Sequence, residues 1–179
     1  MSDGTPLSAL AGLRALLADE GPLVAGALAP VAAANGGSPA AVAARGPRAA
    51  HASGEYELAV EAIYEGYLLH GSAARLFAAG DEDLAVLLGD HLYALGLARL
   101  VELGDIAAVV ELADTISLAA QARSGGDREL ADAAWLAGAS AVGWGPSAAH
   151  AEAKRLARSG APEALAAMLT SARTPSDAD

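Results

Sequence analysis

The sequence contains no cysteine, and aromatic residues make up only 4% of it. Without cysteine the chain has no disulfide framework and no thiolate zinc site, and nothing marks an oxidising compartment. Because aromatic rings are so few, the hydrophobic fraction of 54% must come mainly from Ala, Leu and Val. Alanine and leucine lose the least on entering a helix, so this composition favours an all-α fold.

Positive charge is also scarce, since 11 Lys and Arg residues stand against 22 Asp and Glu residues. The formal net charge of −11 repels phosphate backbones and anionic lipid surfaces, which argues against nucleic-acid binding. The first residues, MSDGTPLSAL, lack the basic and apolar regions of a signal peptide. Asp90, His91 and Arg99 interrupt the most apolar later segment. We therefore expect no transmembrane segment and a cytoplasmic location.

The length of 179 residues fits a single domain. Proline and glycine residues allow only short helices in the first third of the chain. In Thr5-Pro6 and in Ser38-Pro39, a capping residue is followed by proline at the first helical position. We expect one helical domain and a disordered tail, divided as follows: an Ala/Gly/Pro-rich arm (1–54), a core (55–126) and C-terminal helices (127–172) in a domain over 1–172, then the tail over 173–179.

Residues 55–70 form the first strongly periodic segment, with apolar residues at helical spacing. Glu57, Glu61 and Glu65 form a separate stripe along this helix, which is most simply a solvated face. A short element follows at 73–79.

Capping residues mark the helices that come next. We expect Asp81 to open a long helix that ends at Gly104, and Asp105 to open another over about 106–123. This second helix is apolar over much of its circumference, so we expect it to be central. Its expected apolar face contains Ile106, Val109, Val110, Ala113 and Ile116.

The C-terminal third continues the helical pattern, and no strand-like alternation, glycine-rich phosphate motif or fixed-period repeat occurs in the sequence. GxSxG, which a serine hydrolase would need, and the ExxH pairs of a di-iron bundle are absent too. The remaining expected elements are a helix over 128–141 capped by Asp127, a loop over 142–146, and two shorter helices opened by Ser147 and Pro162.

Several polar residues have a structural interpretation. His70 and His91 lie on otherwise apolar helices, where we expect a hydrogen-bonded structural role. Asp90 lies beside the leucine face of the long helix, so we expect it to be paired with a neighbouring helix. The acidic triplet at 81–83 suits the first turn of a helix better than a metal site.

The order of three segments resembles the middle of a trans-isoprenyl diphosphate synthase. In that family a helix ends in a histidine followed by an aspartate-rich DDxxD motif, then come a helix that begins with Gly-Asp, a short Gly-Asp break and another long helix. His70 matches the family histidine, but Gly71, Ser72, Ala73 and Ala74 replace the aspartates. The three segments are AVEAIYEGYLLH (59–70), VLLGDHLYALGLARLVEL (86–103) and GDIAAVVELADTISLAAQARSGG (104–126).

The resemblance implies an orthogonal or antiparallel helical bundle like a truncated isoprenyl diphosphate synthase (terpenoid synthase) fold. That family ionises an allylic diphosphate with magnesium ions held between carboxylates of two facing helices. No second aspartate motif occurs either, because Asp127 and Asp132 are five positions apart, or about 140° around a helix. The chain is therefore expected to have no catalytic residue and no cofactor of its own.

Short members that lack the aspartate motifs are the small subunits of two-component hexaprenyl and heptaprenyl diphosphate synthases. By resemblance, this chain is expected to pair with a catalytic subunit, which would hold the Mg²⁺, and to help set product chain length in isoprenoid-quinone side-chain synthesis. The candidates for residues that face the partner or the product tunnel are Tyr64, Tyr67, Leu68, His70, Leu84, Leu88, His91, Leu92 and Leu95, with Asp90 as a structural polar residue.

Two other functions fit the sequence. One is a free-standing helical interaction protein or a binder of an apolar prenyl ligand, as a homodimer with no catalytic role. The other is an enzyme that uses unrecognised carboxylates, such as Glu61, Glu65, Asp90 and Asp114.

Overall fold

A computed structural model describes residues 9–30, 37–71, 73–78 and 81–173. In these ranges the chain forms helices and no strand, apart from one isolated antiparallel bridge between Leu28 and Phe77. The all-α bundle predicted from composition is therefore confirmed. The described helices are α1 (Ala9–Ala18), α2 (Pro22–Ala27), α3 (Pro39–Arg45), α4 (Ser53–His70), α5 (Glu82–Glu102), α6 (Ile106–Ser124), α7 (Arg128–Trp144), α8 (Ala148–Ser159) and α9 (Ala164–Ser171).

The helices pack around α4 and α7. α4 contacts α1, α3 and α5, whereas α7 contacts α3, α6 and α9. One group of buried side chains joins α3, α4, α6, α7, α8 and α9, and a second joins α1, α4 and α5. The N-terminal arm therefore contributes α1 and α3 directly to the core.

The predicted caps are present wherever the structure describes them. Side-chain oxygens of Ser38, Asp81, Asp105, Asp127 and Ser147 accept hydrogen bonds from backbone N–H groups in the first turn of the next helix. These bonds satisfy donors that have no partner inside the helix. The Thr5-Pro6 cap, Ser72 and residues 174–179 of the expected tail lie outside the described residues.

One predicted boundary was wrong. The short element expected at 73–79 is non-helical over residues 73–78, where the chain folds back along α4. α7 continues to Trp144, so the expected loop over 142–146 is shorter than predicted. Gly145, with φ +93°, ends the helix in a backbone conformation that residues other than glycine rarely adopt.

The predicted apolar face of α6 is also wrong. Ile106 and Val110 are 56% and 59% exposed, while Leu112 and Leu118 are buried. The buried face includes the polar residues Glu111 and Thr115, so hydrophobic periodicity does not identify it. Most of α7 is buried, and this helix takes the central position that the sequence suggested for α6.

Glycines at positions 66, 89 and 96 bring α4 and α5 into close contact. A Cβ atom at Gly66 would lie 2.8 Å from the carbonyl oxygen of Gly89, and one at Gly96 would lie 2.5 Å from the carbonyl oxygen of Ala59. Such contacts are too short for a real side chain, so glycine is needed for this backbone spacing. The two facing helices therefore leave little space between them.

The glutamate stripe of α4 is not solvated as predicted. Glu61 and Glu65 are only 2% and 0% exposed. Arg75 folds back onto both: its Nη2 lies 2.5 Å from Glu61 Oε1 and its Nε lies 2.9 Å from Glu65 Oε2. The backbone N–H groups of Arg75 and Leu76 donate to Glu65, and the Ser38 hydroxyl donates to Glu61. This group of ionic residues ties α3 and the segment after α4 to the middle of α4.

Replacement of Arg75 tests this tie. Arg75→Met replaces the cationic side chain with an unbranched apolar one and leaves two buried carboxylates without their cation. The free energy of unfolding should therefore fall by about 3–5 kcal/mol. Urea denaturation followed by circular dichroism measures the change. Arg155→Met, which removes an exposed arginine paired with Glu152 on α8, serves as the control and should leave the midpoint unchanged. Equal midpoints for the two variants would contradict this account.

Candidate functional site

A cleft of about 340 Å³ opens where the C-terminal end of α4 meets the end of α6 and the start of α7. It lies directly beside Gly71, the residue that follows His70 at the end of α4. We call it the Gly71 cleft, and its lining consists of Tyr67, Leu68, Gly71, Ala73, Arg123, Arg128, Ala131 and Asp132.

The Arg123 guanidinium occupies the space beside Gly71. Its guanidinium carbon lies 4.1 Å from the centroid of the Tyr67 ring. The same guanidinium lies against Gly71, where a Cβ atom would collide with Nη1. Backbone geometry is not the reason for this glycine, because its φ of −104° is accessible to other residues. Gly71 therefore makes room for a cation at the end of α4.

Tyr67 forms the floor of the cleft and is only 3% exposed. Its ring packs against Trp135, with centroids 5.2 Å apart, and its hydroxyl finds no hydrogen-bond partner among the described residues. Burial raises the pKa of Tyr67, while the charge of Arg123 acts in the opposite direction. The tyrosine is thus neutral at physiological pH and holds Arg123 by a cation–π contact.

The cleft brings together two arginines that have no ion pair in the described part of the chain. Arg123 comes from the last turn of α6, and Arg128 is the first residue of α7. Asp132 is the acidic member of the described lining. By contrast, most other cations of this acidic protein are paired with carboxylates, among them Arg48, Arg75, Arg99, Lys154, Arg155 and Arg158.

Some of the residues selected from the sequence lie at or near this cleft. Tyr67 and Leu68 line it. Tyr64 does not line the cleft, and its ring centroid lies 4.9 Å from that of Trp135 and 5.0 Å from the guanidinium carbon of Arg75. Tyr64 and Tyr67 therefore support two different arginines.

His70 and Asp90 form a separate contact between α4 and α5. His70 Nε2 lies 3.2 Å from Asp90 Oδ1, and the His70 ring stacks on Tyr93 with centroids 5.3 Å apart. The Asp90 carboxylate therefore lies beside the neighbouring helix, with its side chain 67% exposed, and its structural role stays a prediction. His91 points to the N-terminal arm, where its Nε2 lies 2.5 Å from Glu20 Oε2.

The leucines of α5 pack against the N-terminal arm of the same chain. Leu88 and Leu92 are buried in a group that includes Leu10, Leu13 and Leu17 of α1, with Leu84 and Leu95 at its edge. The cavity beside Leu84 and Leu88 measures about 40 Å³, close to the roughly 30 Å³ that one water occupies. A role of these leucines in a tunnel or partner interface stays a prediction, and it would require α1 to move.

A polar cluster that the sequence analysis missed joins α6 to α8. Glu111 is buried, and its carboxylate oxygens lie 2.7 Å from His150 Nε2 and 2.8 Å from Lys154 Nζ. Lys154 also donates to Asp114. The sequence pattern that could have revealed this cluster is a pair of matching spacings. Glu111 and Asp114 are three positions apart on α6, and His150 and Lys154 are four positions apart on α8. Every member of the cluster has a partner, so it serves to hold α8 in place.

This cluster predicts a pH dependence of stability. Burial alone would raise the pKa of Glu111, but its bonds to His150 and Lys154 outweigh burial and lower the pKa from 4.5. A depressed carboxylate pKa contributes stability above pH 4.5 that is lost as the pH falls below that value. Glu111→Gln should therefore lower the free energy of unfolding by about 1.5–3 kcal/mol at neutral pH, and the difference from the unmodified protein should shrink in acid.

Urea denaturation at neutral pH and below pH 4 measures this effect. Glu102→Gln, at an exposed position at the end of α5, is the control and should show no pH-dependent difference. A Glu111→Gln difference that is constant over the whole pH range would show that its ion pairs do not stabilise the fold.

Two further features concern metals and membranes. Among residues 9–30, 37–71, 73–78 and 81–173, no group of three or more His, Cys, Asp or Glu side chains is placed to hold a metal ion. In the same residues α5 is long and apolar enough to cross a membrane by length and composition. The most apolar 18-residue window of α5 is 28% buried in the fold, and one face of the helix packs on α4.

Comparisons with protein-family models, with curated proteins and with solved structures found no significant match to this chain.

Proposed function

We propose that this chain is a non-catalytic accessory subunit of a polyprenyl diphosphate synthase, which pairs with a catalytic subunit and helps to set product chain length in isoprenoid-quinone side-chain synthesis. The observation that carries the proposal is the position of the Arg123 guanidinium, against Gly71 and over Tyr67. In the family that the sequence resembles, the aspartates of the first metal-binding motif follow the histidine at the end of this helix.

A guanidinium at this position opposes metal binding for a physical reason. Magnesium needs several hard oxygen ligands, and a fixed positive charge nearby repels it. Arg123 and Arg128 both line the cleft, and Asp132 supplies a single carboxylate. The catalytic partner would therefore provide the aspartates and the magnesium ions.

The carboxylates on which a catalytic alternative would depend are already engaged. Glu61 and Glu65 are bound to Arg75. Asp114 is bound to Lys154 and Arg158, and Asp90 lies beside His70. Use of any of these groups as a metal ligand or a base would first require an ion pair to break, which favours the non-catalytic interpretation.

The outer side of α5 carries exposed apolar residues that support a partner contact there. Of the eight large apolar side chains that are exposed in the described residues, three lie on α5 and two at the start of α6. Leu87, Ala94, Ala98 and Val101 share one exposed face of α5. Exposed apolar residues concentrated in this way are typical of protein–protein contact sites. The five large side chains are Val86, Leu87, Val101, Ile106 and Val110.

The second candidate is a free-standing homodimer that binds an apolar prenyl ligand. A cavity of about 390 Å³ favours it, since it is lined mainly by Ala, Gly and Leu residues of α6, α7, α8, α9 and their connecting loops. Native mass spectrometry of the purified protein separates the two functions. A homodimer carrying a copurified lipid would favour this candidate over the accessory subunit.

Co-expression with the catalytic polyprenyl diphosphate synthases of the same genome tests the main proposal. We expect a stable complex and a change in product length. Leu87→Glu should weaken the complex by about tenfold or more, because burial of one leucine contributes about 1.5–3 kcal/mol. Affinity chromatography and product chromatography measure the two effects.

Leu23→Glu is the matched control for this experiment. Leu23 lies on α2 and is 69% exposed, against 67% for Leu87, so the two variants add the same charge at equally accessible positions. The control should assemble normally. If every such synthase ignores this chain and makes an unchanged product alone, the proposal is wrong.

A further inference from the structure

We propose that the Gly71 cleft is a binding site for a small organic phosphate, which it holds directly through Arg123 and Arg128. This inference goes beyond the accessory-subunit proposal and does not depend on it, because it uses only the residues of the cleft. Its test also involves different variants from those on α5.

The Gly71 cleft carries positive charge in an acidic protein. The chain carries a net charge of −11, yet two cations without an ion pair among the described residues meet at one cleft. An arginine left without a carboxylate in such an acidic protein gains most from an external anion. Asp132 offsets one of the two positive charges, so the lining retains a net charge of about +1.

The Arg123 guanidinium is preorganised for binding. Arg123 is held between the face of Tyr67 and the backbone at Gly71 before any ligand arrives. Its rotamers are therefore restricted in the free protein, and less conformational entropy is lost when it binds an anion. The Tyr67 ring beneath it is buried and rigid, packed against Trp135.

The lining of the cleft suits a phosphate that carries an organic group. Arg123 and Arg128 both line the cleft, so a ligand that bonds to both must present at least two acceptor oxygens. A phosphate monoester offers three such oxygens, whereas a carboxylate offers two in one plane. The volume of about 340 Å³ and the apolar side chains of Leu68, Ala73 and Ala131 leave room for an organic group.

Isothermal titration calorimetry of the full chain in low-salt buffer tests the site, with phenyl phosphate, inorganic phosphate and benzoate as probes. We expect phenyl phosphate to bind about tenfold more tightly than either of the others. Arg128→Gln should weaken phenyl phosphate binding by about tenfold, because it removes one of the two guanidinium groups. Arg155→Gln removes the same charge from an exposed position on α8 and should have no effect.

Gly71→Ala is the most specific variant, since it keeps both arginines and changes only where Arg123 can lie. The added methyl group would occupy the place of the guanidinium, so binding should weaken by about tenfold although the net charge is unchanged. Thermal melting confirms that the variant is folded. Arg123→Lys, which keeps the charge but loses the planar fork, provides a second test and should also weaken binding.

Three results would overturn the proposal. The first is the absence of phenyl phosphate binding at millimolar concentration. The second is equal affinity for inorganic phosphate and phenyl phosphate, which would exclude an organic ligand. The third is unchanged affinity in folded Gly71→Ala and Arg123→Lys.

Discussion

The structure depends on one electrostatic requirement, which is that two buried carboxylates on α4 must have a cation. Glu61 and Glu65 lie inside the protein, and Arg75 is the guanidinium that reaches both. Because Arg75 follows Glu65 by only ten residues, the chain must leave the helix and turn back soon after His70. The end of α4 at Gly71 is therefore a consequence of charge burial in the middle of the same helix.

That turn creates the corner in which Arg123 lies. Glycine at position 71 leaves space for the guanidinium, and Tyr67, one turn earlier on α4, provides the aromatic face beneath it. Charges of opposite sign thus lie along α4 at two levels. Its own carboxylates are paired with Arg75 inside the bundle, and Arg123 of α6 lies beside its C-terminal end. The proposed functions, an accessory subunit without metal and a phosphate site, both use this cationic end.

The parts of the fold that sequence predicted correctly depend on neighbouring residues. Asp81, Asp105 and Asp127 cap the helices that follow them, since a cap bonds to N–H groups only two or three residues away. The wrong predictions involve distant partners. Burial of Glu65 depends on Arg75, and the space at Gly71 depends on Arg123, so neither was visible in helical periodicity. Tyr67 and Leu68 were selected as site residues, but the two arginines of the cleft were not.

The central claim is that the Arg123 guanidinium of α6 lies at the end of α4, beside Gly71 and over Tyr67, and opposes metal binding there. Anomalous diffraction from crystals grown in manganese chloride measures this most directly. The account predicts that the Gly71 cleft contains no manganese and that Arg123 lies between Tyr67 and Gly71. Manganese bound to Asp132 in the cleft, with Arg123 displaced, would contradict it.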